Sequence, residues 1–220
     1  MSARAARQAS LDLGVIGNGS FGALIDREAR VVWGCLPAFD GDPAFCALLS
    51  PRHHEGGDLA IELEDYSHSE QEYVTNTAIL RTVLHDRNGG AVEVIDFAPR
   101  WKQNSRIFRP VSIIRRIRTL SGTPRLRVRC RPLADWGARV PESTWGSNHM
   151  RWILPGFTLR LTTDVPIRFV RDQLPFVLWE TVHLVFGADE TLERSVSGYV
   201  EEALGRTEHH WREWVRYLSI

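Results

Sequence analysis

The fold is decided by residues 13–49, which read LGVIGNGSFGALIDREARVVWGCLPAFDGDPAFCALL. Residues 17–22 match the G-x-G-x-x-G pattern of dinucleotide-binding folds, in which a helix must follow the third glycine. Only three apolar residues separate Gly22 from the turn-like run Asp26-Arg27-Glu28, so a crossover helix has no room. We therefore interpret the segment as strands over residues 12–17, 21–26 and 29–35. A dinucleotide-dependent oxidoreductase stays the least favoured alternative.

The chain up to residue 188 predicts further short strands. Residues 58–64 and 125–131 alternate apolar and polar side chains, as half-buried strands do. Asn88-Gly89-Gly90 is a strong hairpin-turn signal. Short strands with regularly spaced turns predict a mainly β fold, a large antiparallel β-sandwich. The remaining predicted strands cover residues 78–86, 91–97, 110–120, 149–154, 157–162, 167–170 and 176–185.

A helical pattern begins at about Asp189 and places one apolar stripe along the C-terminal segment. This stripe contains Trp211, Trp214 and Leu218, which need a partner to bury them. The partner is either the sandwich or, as we favour, a domain that follows the segment. We thus predict a disordered or loosely held N-terminus (1–10), the sandwich (11–188), and a linker with a first helix that leads to a further domain (189–220).

Composition narrows the function classes. The 220 residues carry no net charge and are 43% hydrophobic, enough for one large domain or a domain plus a fragment. Balanced charge argues against a dedicated nucleic-acid or anionic-membrane binder. Without a long apolar run or a secretory signal, we expect a cytoplasmic protein. The three cysteines are expected to be small buried hydrophobes in a reducing compartment.

Arginines are concentrated between Asp96 and Asp135, where no acidic residue occurs. Strict alternation in residues 125–131 places Arg125, Arg127, Arg129 and Arg131 on one face of a strand. Two interpretations are open, a polyanion-binding surface or a sheet face paired with the acidic residues of segment 55–72. We favour the ion-paired sheet face.

No catalytic, metal or cofactor motif emerges from the chain. Histidines occur as adjacent pairs rather than at ligand spacing, so we expect no metal site. We likewise expect no cofactor and no catalytic residue. Two aromatic loops, around Trp33, Phe39 and Asp40 and around Trp136, have the composition of sugar-binding sites. They equally fit loops that pack on a neighbouring domain.

The order of these motifs resembles the N-terminal domain of glycoside hydrolase family 15, the bacterial glucoamylase and trehalase-like enzymes. The similarity begins with IGNG-x-x-G-A-L-I-x-R-x-A-x-V-x-W-x-C-L-P-x-F-D and covers about residues 10–218. It continues through YVTNTAIL (73–80), GAVEVIDFAP (90–99), IIRRIRTLSGTPRLRVRCR (113–131), PLADWG (132–137) and WREW (211–214).

The resemblance implies a β-sandwich, a linker helix and then an α/α toroid whose two glutamates perform inverting hydrolysis of α-glucosidic bonds. By this implication the present chain ends where the toroid begins and is inactive alone. Its partner is the toroid of the same polypeptide, and the substrate of the whole enzyme is an α-glucoside or oligosaccharide. Trp211, Trp214 and Leu218 then form the domain interface, and Trp33, Phe39, Asp40 and Trp136 lie at the rim of the sugar pocket.

One position departs from the family pattern. The family loop usually reads P-R-F-D, whereas this chain has Ala38 between Pro37 and Phe39. The sugar and the linkage therefore stay open. A stand-alone carbohydrate-binding module is the alternative function, and it predicts glucan binding that depends on Trp136 and Trp33.

Overall fold

A computed structural model describes residues 10–49 and 56–218. Its strands are β1 (Gly14–Gly17), β2 (Gly22–Ile25), β3 (Val31–Cys35), β4 (Pro43–Phe45), β5 (Asp58–Leu63), β6 (Tyr66–Tyr73), β7 (Leu80–Asp86), β8 (Ala91–Phe97), β9 (Trp101–Gln103), β10 (Arg106–Phe108), β11 (Ser112–Ser121), β12 (Arg125–Arg131), β13 (Glu142–Trp145), β14 (His149–Leu154), β15 (Phe157–Thr163), β16 (Phe176–Val177) and β17 (Val182–Ala188). The α-helices are α1 (Ile167–Arg171) and α2 (Val196–Arg216). The predicted N-terminal segment 1–10 lies, apart from Ser10, outside the described residues.

Two antiparallel sheets pack face to face. Sheet A has seven strands in the order β1-β2-β3-β5-β12-β16, with β4 paired to β3. Sheet B has eight strands in the order β13-β14-β15-β17-β11-β8-β7-β6, and β9 and β10 form a separate hairpin. Side chains from both sheets, such as Ile25 and Val31 from sheet A and Val92 and Ile113 from sheet B, share one core. The predicted β-sandwich with a C-terminal helix is confirmed.

A buried ion pair links the two sheets through this core. Arg115 of β11 and Asp96 of β8 are both fully buried, and their Nε and Oδ1 atoms lie 2.5 Å apart. The same guanidinium donates to the backbone carbonyls of Leu59 in β5, at 3.0 Å, and of Ala29 in the turn between β2 and β3. It thereby reaches from sheet B to sheet A. A charge buried this deeply is tolerated because the carboxylate and the carbonyls satisfy its donors.

The strand predictions needed three corrections. Residues 167–170 form helix α1 rather than a strand, because Pro166 presets the dihedral angle at the start and Ile167 and Val170, three apart, bury one side. The predicted strand 176–185 is split into β16 and β17. The sequence analysis missed β4, β6, β9, β10 and β13, which are short or, like β6 (YSHSEQEY), carry no apolar alternation.

Helix α2 packs on the outer face of sheet B. It begins at Val196, where the Ser195 side chain accepts a hydrogen bond from the backbone N–H of Gly198 at 3.2 Å. Val196, Val200 and Ala203 join Ile95, Phe97, Trp101, Ile114 and Ile79 in a second apolar cluster. None of the described helices is long and apolar enough to cross a membrane.

Candidate functional site

The glycine motif forms a tight turn between two strands. β1 ends at Gly17 and β2 begins at Gly22, so a strand stands where a dinucleotide fold requires a helix. Gly19 has φ +84°, a conformation that favours glycine. The dinucleotide interpretation is therefore excluded, and the motif serves backbone geometry.

Asn18 fastens this turn to the opposite sheet. Its side chain is buried and donates to the carbonyl oxygens of Pro99, at 3.0 Å, and Pro110, at 2.7 Å. Its Oδ1 accepts from the backbone N–H of Ser20 at 3.0 Å. The turn is thereby held against the connections that leave β8 and enter β11.

Two arginines bind the backbone of the turn, and one of them, Arg100, also contacts helix α2. Arg100 donates to the carbonyl of Asn18 and, through Nε, to Nε2 of His210 at 3.0 Å. Arg109 donates to the carbonyl of Gly19 at 3.2 Å. Burial and the neighbouring Arg100 lower the pKa of His210, which suits its role as an acceptor. The hydrogen bonds from Arg100 to Asn18 and from Arg109 to Gly19 were not predicted, because they join segments more than 80 residues apart.

The predicted interface residues lie in the last turns of α2 and, for Leu218, two residues after its end. The guanidinium of Arg100 lies over the half-buried Trp211 ring, 5.6 Å from its centroid. The rings of Trp211 and Trp214 meet edge to face with centroids 5.8 Å apart. Trp214 is 49% exposed and Leu218 is 48% exposed. Trp211, Trp214 and Leu218 thus form an apolar strip in which Trp211 is half-buried and the other two side chains are exposed.

The loop that carries Phe39 and Asp40 lies beside the glycine turn. The ring of Phe39 packs against Gly22, where a Cβ atom would come within 3.0 Å of Cε1. Phe39 is nevertheless 62% exposed, and Asp40 is exposed as well. Trp33 differs from both, because it lies half-buried within β3. The structure thus places Phe39 and Asp40 at the surface and Trp33 mainly in the sheet.

Asp42 joins the two aromatic loops. Its carboxylate accepts hydrogen bonds from the backbone N–H groups of Asp135, at 2.5 Å, and Trp136, at 2.8 Å. Asp135, Trp136 and Gly137 all have positive φ angles, of 56°, 57° and 89°. This turn presents the Trp136 side chain to solvent with 62% of its surface exposed. Sequence reasoning singled out Asp40, although Asp42 is the residue that holds the second loop.

The three cysteines lie where burial disfavours the thiolate form. All three are free and buried, as expected. Burial, reinforced by Asp42 and Asp40, raises the pKa of Cys35, and burial with Asp42 and Asp58 raises that of Cys46. Burial raises the pKa of Cys130 well above its usual range. Each therefore stays a neutral thiol.

The arginines of β12 pair with acids of the predicted segment 55–72, which lie in β5 and directly after it. Arg125 lies 3.5 Å from Glu64, and Arg127 lies 3.4 Å from Glu62. Arg129 contacts both Asp58 and Glu62, while Arg131 lies 3.9 Å from Asp58. The ion-paired sheet face is confirmed for this strand. Arg116 and Arg118 of β11 instead pair with Glu93 of β8.

Comparison with known proteins agrees with this architecture. A family model described as "Trehalase-like, N-terminal" matches residues 5–146, well over half of the chain. Searches of curated proteins and of solved structures returned no match. The chain belongs to the trehalase-like N-terminal domain family, and the resemblance seen in its sequence is confirmed.

Proposed function

We propose that this trehalase-like N-terminal domain is a non-catalytic support that packs on the catalytic α/α toroid of the same polypeptide. The enzyme as a whole would be an inverting α-glucosidase of the glucoamylase or trehalase type. The observation that carries the proposal is the apolar strip of Trp211, Trp214 and Leu218. It projects from a helix whose base is fixed on the sandwich.

A non-catalytic role is supported by the way the buried carboxylates are used. Inverting glycosidases need an acid and a base about 6.5–9.5 Å apart across an open cleft. Among the described residues, the buried acids Asp58, Glu93 and Asp96 each contact arginine. Carboxylates held in this way stabilise strand pairing.

The arrangement of the loops supports a contribution to the rim of the sugar pocket. A continuous series of contacts links Trp136 through Asp42 to the Phe39 loop, then to Gly22 and the glycine turn. Arg100 extends this series to α2. We infer that the aromatic loops and the apolar strip of Trp211, Trp214 and Leu218 lie along one edge of the sandwich. We propose that the toroid covers this edge, with Phe39, Asp40 and Trp136 near its pocket and Trp33 behind them.

The domain limits follow from this proposal with one refinement. We retain residues 11–188 as the sandwich and residues 189–220 as the linker and first helix. However, the first half of α2 is already buried on sheet B. The proposed linker is thus an integral outer layer of the sandwich up to Thr207, and only its later part is available to the toroid.

The proposal is tested by separating and recombining the two domains. The 220-residue chain alone should show no turnover of trehalose or maltose. Mixed with the catalytic domain of the same polypeptide, it should form a complex that size-exclusion chromatography detects and should raise the activity of that domain. The double variant Trp214→Asp/Leu218→Asp should abolish the complex. Ordinary enzyme turnover by the chain alone would refute the proposal.

Trp179→Asp is the matched control for that double variant. Trp179 is 76% exposed, but it follows β16, which forms the edge of sheet A opposite β1 and the glycine turn. An added charge there should leave the complex intact. If Trp179→Asp weakened the complex as much as the double variant, the proposed edge would be wrong.

A stand-alone carbohydrate-binding module is the second candidate, favoured by one observation. Trp136 projects its ring into solvent from a turn whose backbone is held by the Asp42 carboxylate, and exposed aromatic faces suit sugar rings. Calorimetry with glucans distinguishes the two functions. Binding by the isolated chain that is lost in Trp136→Ala supports the module, whereas no heat of binding supports the structural role.

A further inference from the structure

Two histidines face each other on the outer surface of sheet B, near its β6 edge. His68 of β6 is the register partner of His85 of β7. Their rings are parallel within 3°, with centroids 4.4 Å apart. Glu70 lies two positions along β6 and therefore on the same face, and its Oε1 is 4.0 Å from Nε2 of His85. One ligand atom from each residue lies within 4.8 Å of those from the other two.

The ring nitrogens of this cluster are differently engaged. Nδ1 of His68 lies 2.7 Å from Oγ of Ser67, which fixes the ring and leaves Nε2 available. Nε2 of His85 is buried and has no hydrogen-bond partner among the residues that the structure describes. A buried nitrogen without a partner costs free energy, and a metal ion bound to Nε2 in the plane of the His85 ring, at the edge of the stacked pair, would remove that cost. Ligating histidines commonly hold their other nitrogen in a hydrogen bond, as His68 does.

We propose that His68, Glu70 and His85 form a binding site for a divalent late transition-metal ion, with Zn²⁺ as the probe. Two imidazoles and one carboxylate are a donor set that Zn²⁺ and its neighbours accept, with remaining positions open to water. Metal–ligand bonds of about 2.0–2.2 Å require the three ligand atoms to approach one another further. His68 and Glu70 are exposed, so modest side-chain rotations achieve this.

The site has a structural consequence for the edge of sheet B. β6 is the outermost strand there, and its sequence offers little apolar surface to hold it. A metal ion bound by β6 and β7 would cross-link the two strands. The sequence analysis expected no metal because it looked for ligand spacing within one element. Here the third ligand comes from a neighbouring strand, and only the register reveals it.

Isothermal titration of Zn²⁺ into the metal-free chain tests the proposal. We expect one ion per chain, and His85→Gln and His68→Gln should each weaken binding by at least tenfold. Ser67→Ala should weaken it by about tenfold, because outer hydrogen bonds orient the ligand. His149→Asn is the matched control and should leave binding unchanged, since His149 lies on β14 at the far side of sheet B.

Histidine NMR spectra locate the ion independently of affinity. Zn²⁺ should shift the ring signals of His68 and His85 while those of His149 stay in place. The variants must retain the circular dichroism of the parent chain, and Glu70→Gln, the mildest change at the site, provides a second test if a histidine variant misfolds. Absence of stoichiometric binding, or binding that survives in His68→Gln/His85→Gln, would overturn the proposal.

Discussion

The two halves of helix α2 carry the same apolar stripe and meet different surroundings. In residues 196–207, Val196, Val200, Ala203 and Thr207 are buried against sheet B. In residues 208–218, Trp214 and Leu218 stay about half exposed. Periodicity alone therefore defines a face that needs covering, and the packing shows that the sandwich covers only the first half. We call residues 196–207 the docked half. Residues 208–218, which comprise the rest of α2 and the two residues after it, are called the projecting half.

The largest difference between the two halves is expected when a charge is placed in each of them. Val200→Asp should destabilise the chain by about 3 kcal/mol or more, because an unpaired carboxylate would lie among apolar side chains. Leu218→Asp should change the stability by about 0.5 kcal/mol or less, since its side chain reaches solvent. Urea unfolding followed by circular dichroism gives both values. Equal losses would show that the halves do not differ.

A smaller effect is expected at the start of the docked half. Ser195→Ala removes the side-chain oxygen that accepts from Gly198 and should cost about 1 kcal/mol. Hydrogen exchange should quicken in the first turn of α2 more than at residues 208–218. Ser197→Ala is the control within the same turn, and a loss there as large as in Ser195→Ala would contradict the capping role.

The pH dependence of the docked half should follow His183. Burial lowers the pKa of His183, but Asp164, 2.6 Å from Nδ1, and Glu201 of α2, 3.3 Å from Nε2, raise it more, so the pKa is raised overall. The folded pKa then exceeds the unfolded value. The stabilisation is fully present below the unfolded pKa, about 6.5, and is lost as the pH rises through the folded pKa.

Asp164→Asn isolates this contribution because the amide oxygen can still accept from the backbone N–H of His183, as Oδ1 does at 2.8 Å. The variant should be less stable than the parent at about pH 6, and the difference should shrink above about pH 8. Urea unfolding at both pH values measures it, and an NMR titration should show a lower pKa for His183 in the variant. A stability difference that grew with pH would contradict the assignment.

The sequence predicted those features that depend on local periodicity. The alternation in residues 125–131 predicted both β12 and the pairing of its arginines with β5, because one strand fixes which side chains share a face. Residues 167–170 were assigned wrongly because a four-residue segment with three β-branched or aromatic residues fits a strand as well as one helical turn.

The functional contacts were harder to predict because they depend on register and loop closure between distant segments. Asp42 reaches Trp136 across 94 positions, and Arg100 reaches His210 across 110. His68 and His85 meet only because β6 and β7 pair in one register. The composition of the aromatic loops drew attention to both loops, but not to Asp42, the residue that holds them together.

The smallest change in stability should come from the projecting half, where the largest effect on association is expected. Trp214→Ala removes a half-exposed ring that meets Trp211 edge to face, so the free energy of unfolding should fall by only about 0.5 kcal/mol. If the proposed toroid covers this ring, its loss should weaken the complex more than tenfold, as buried interface tryptophans do. Calorimetric unfolding and surface plasmon resonance measure the two quantities on the same variant. A large stability loss with unchanged affinity would show that Trp214 belongs to the sandwich, and the projecting half would then be part of the docked one.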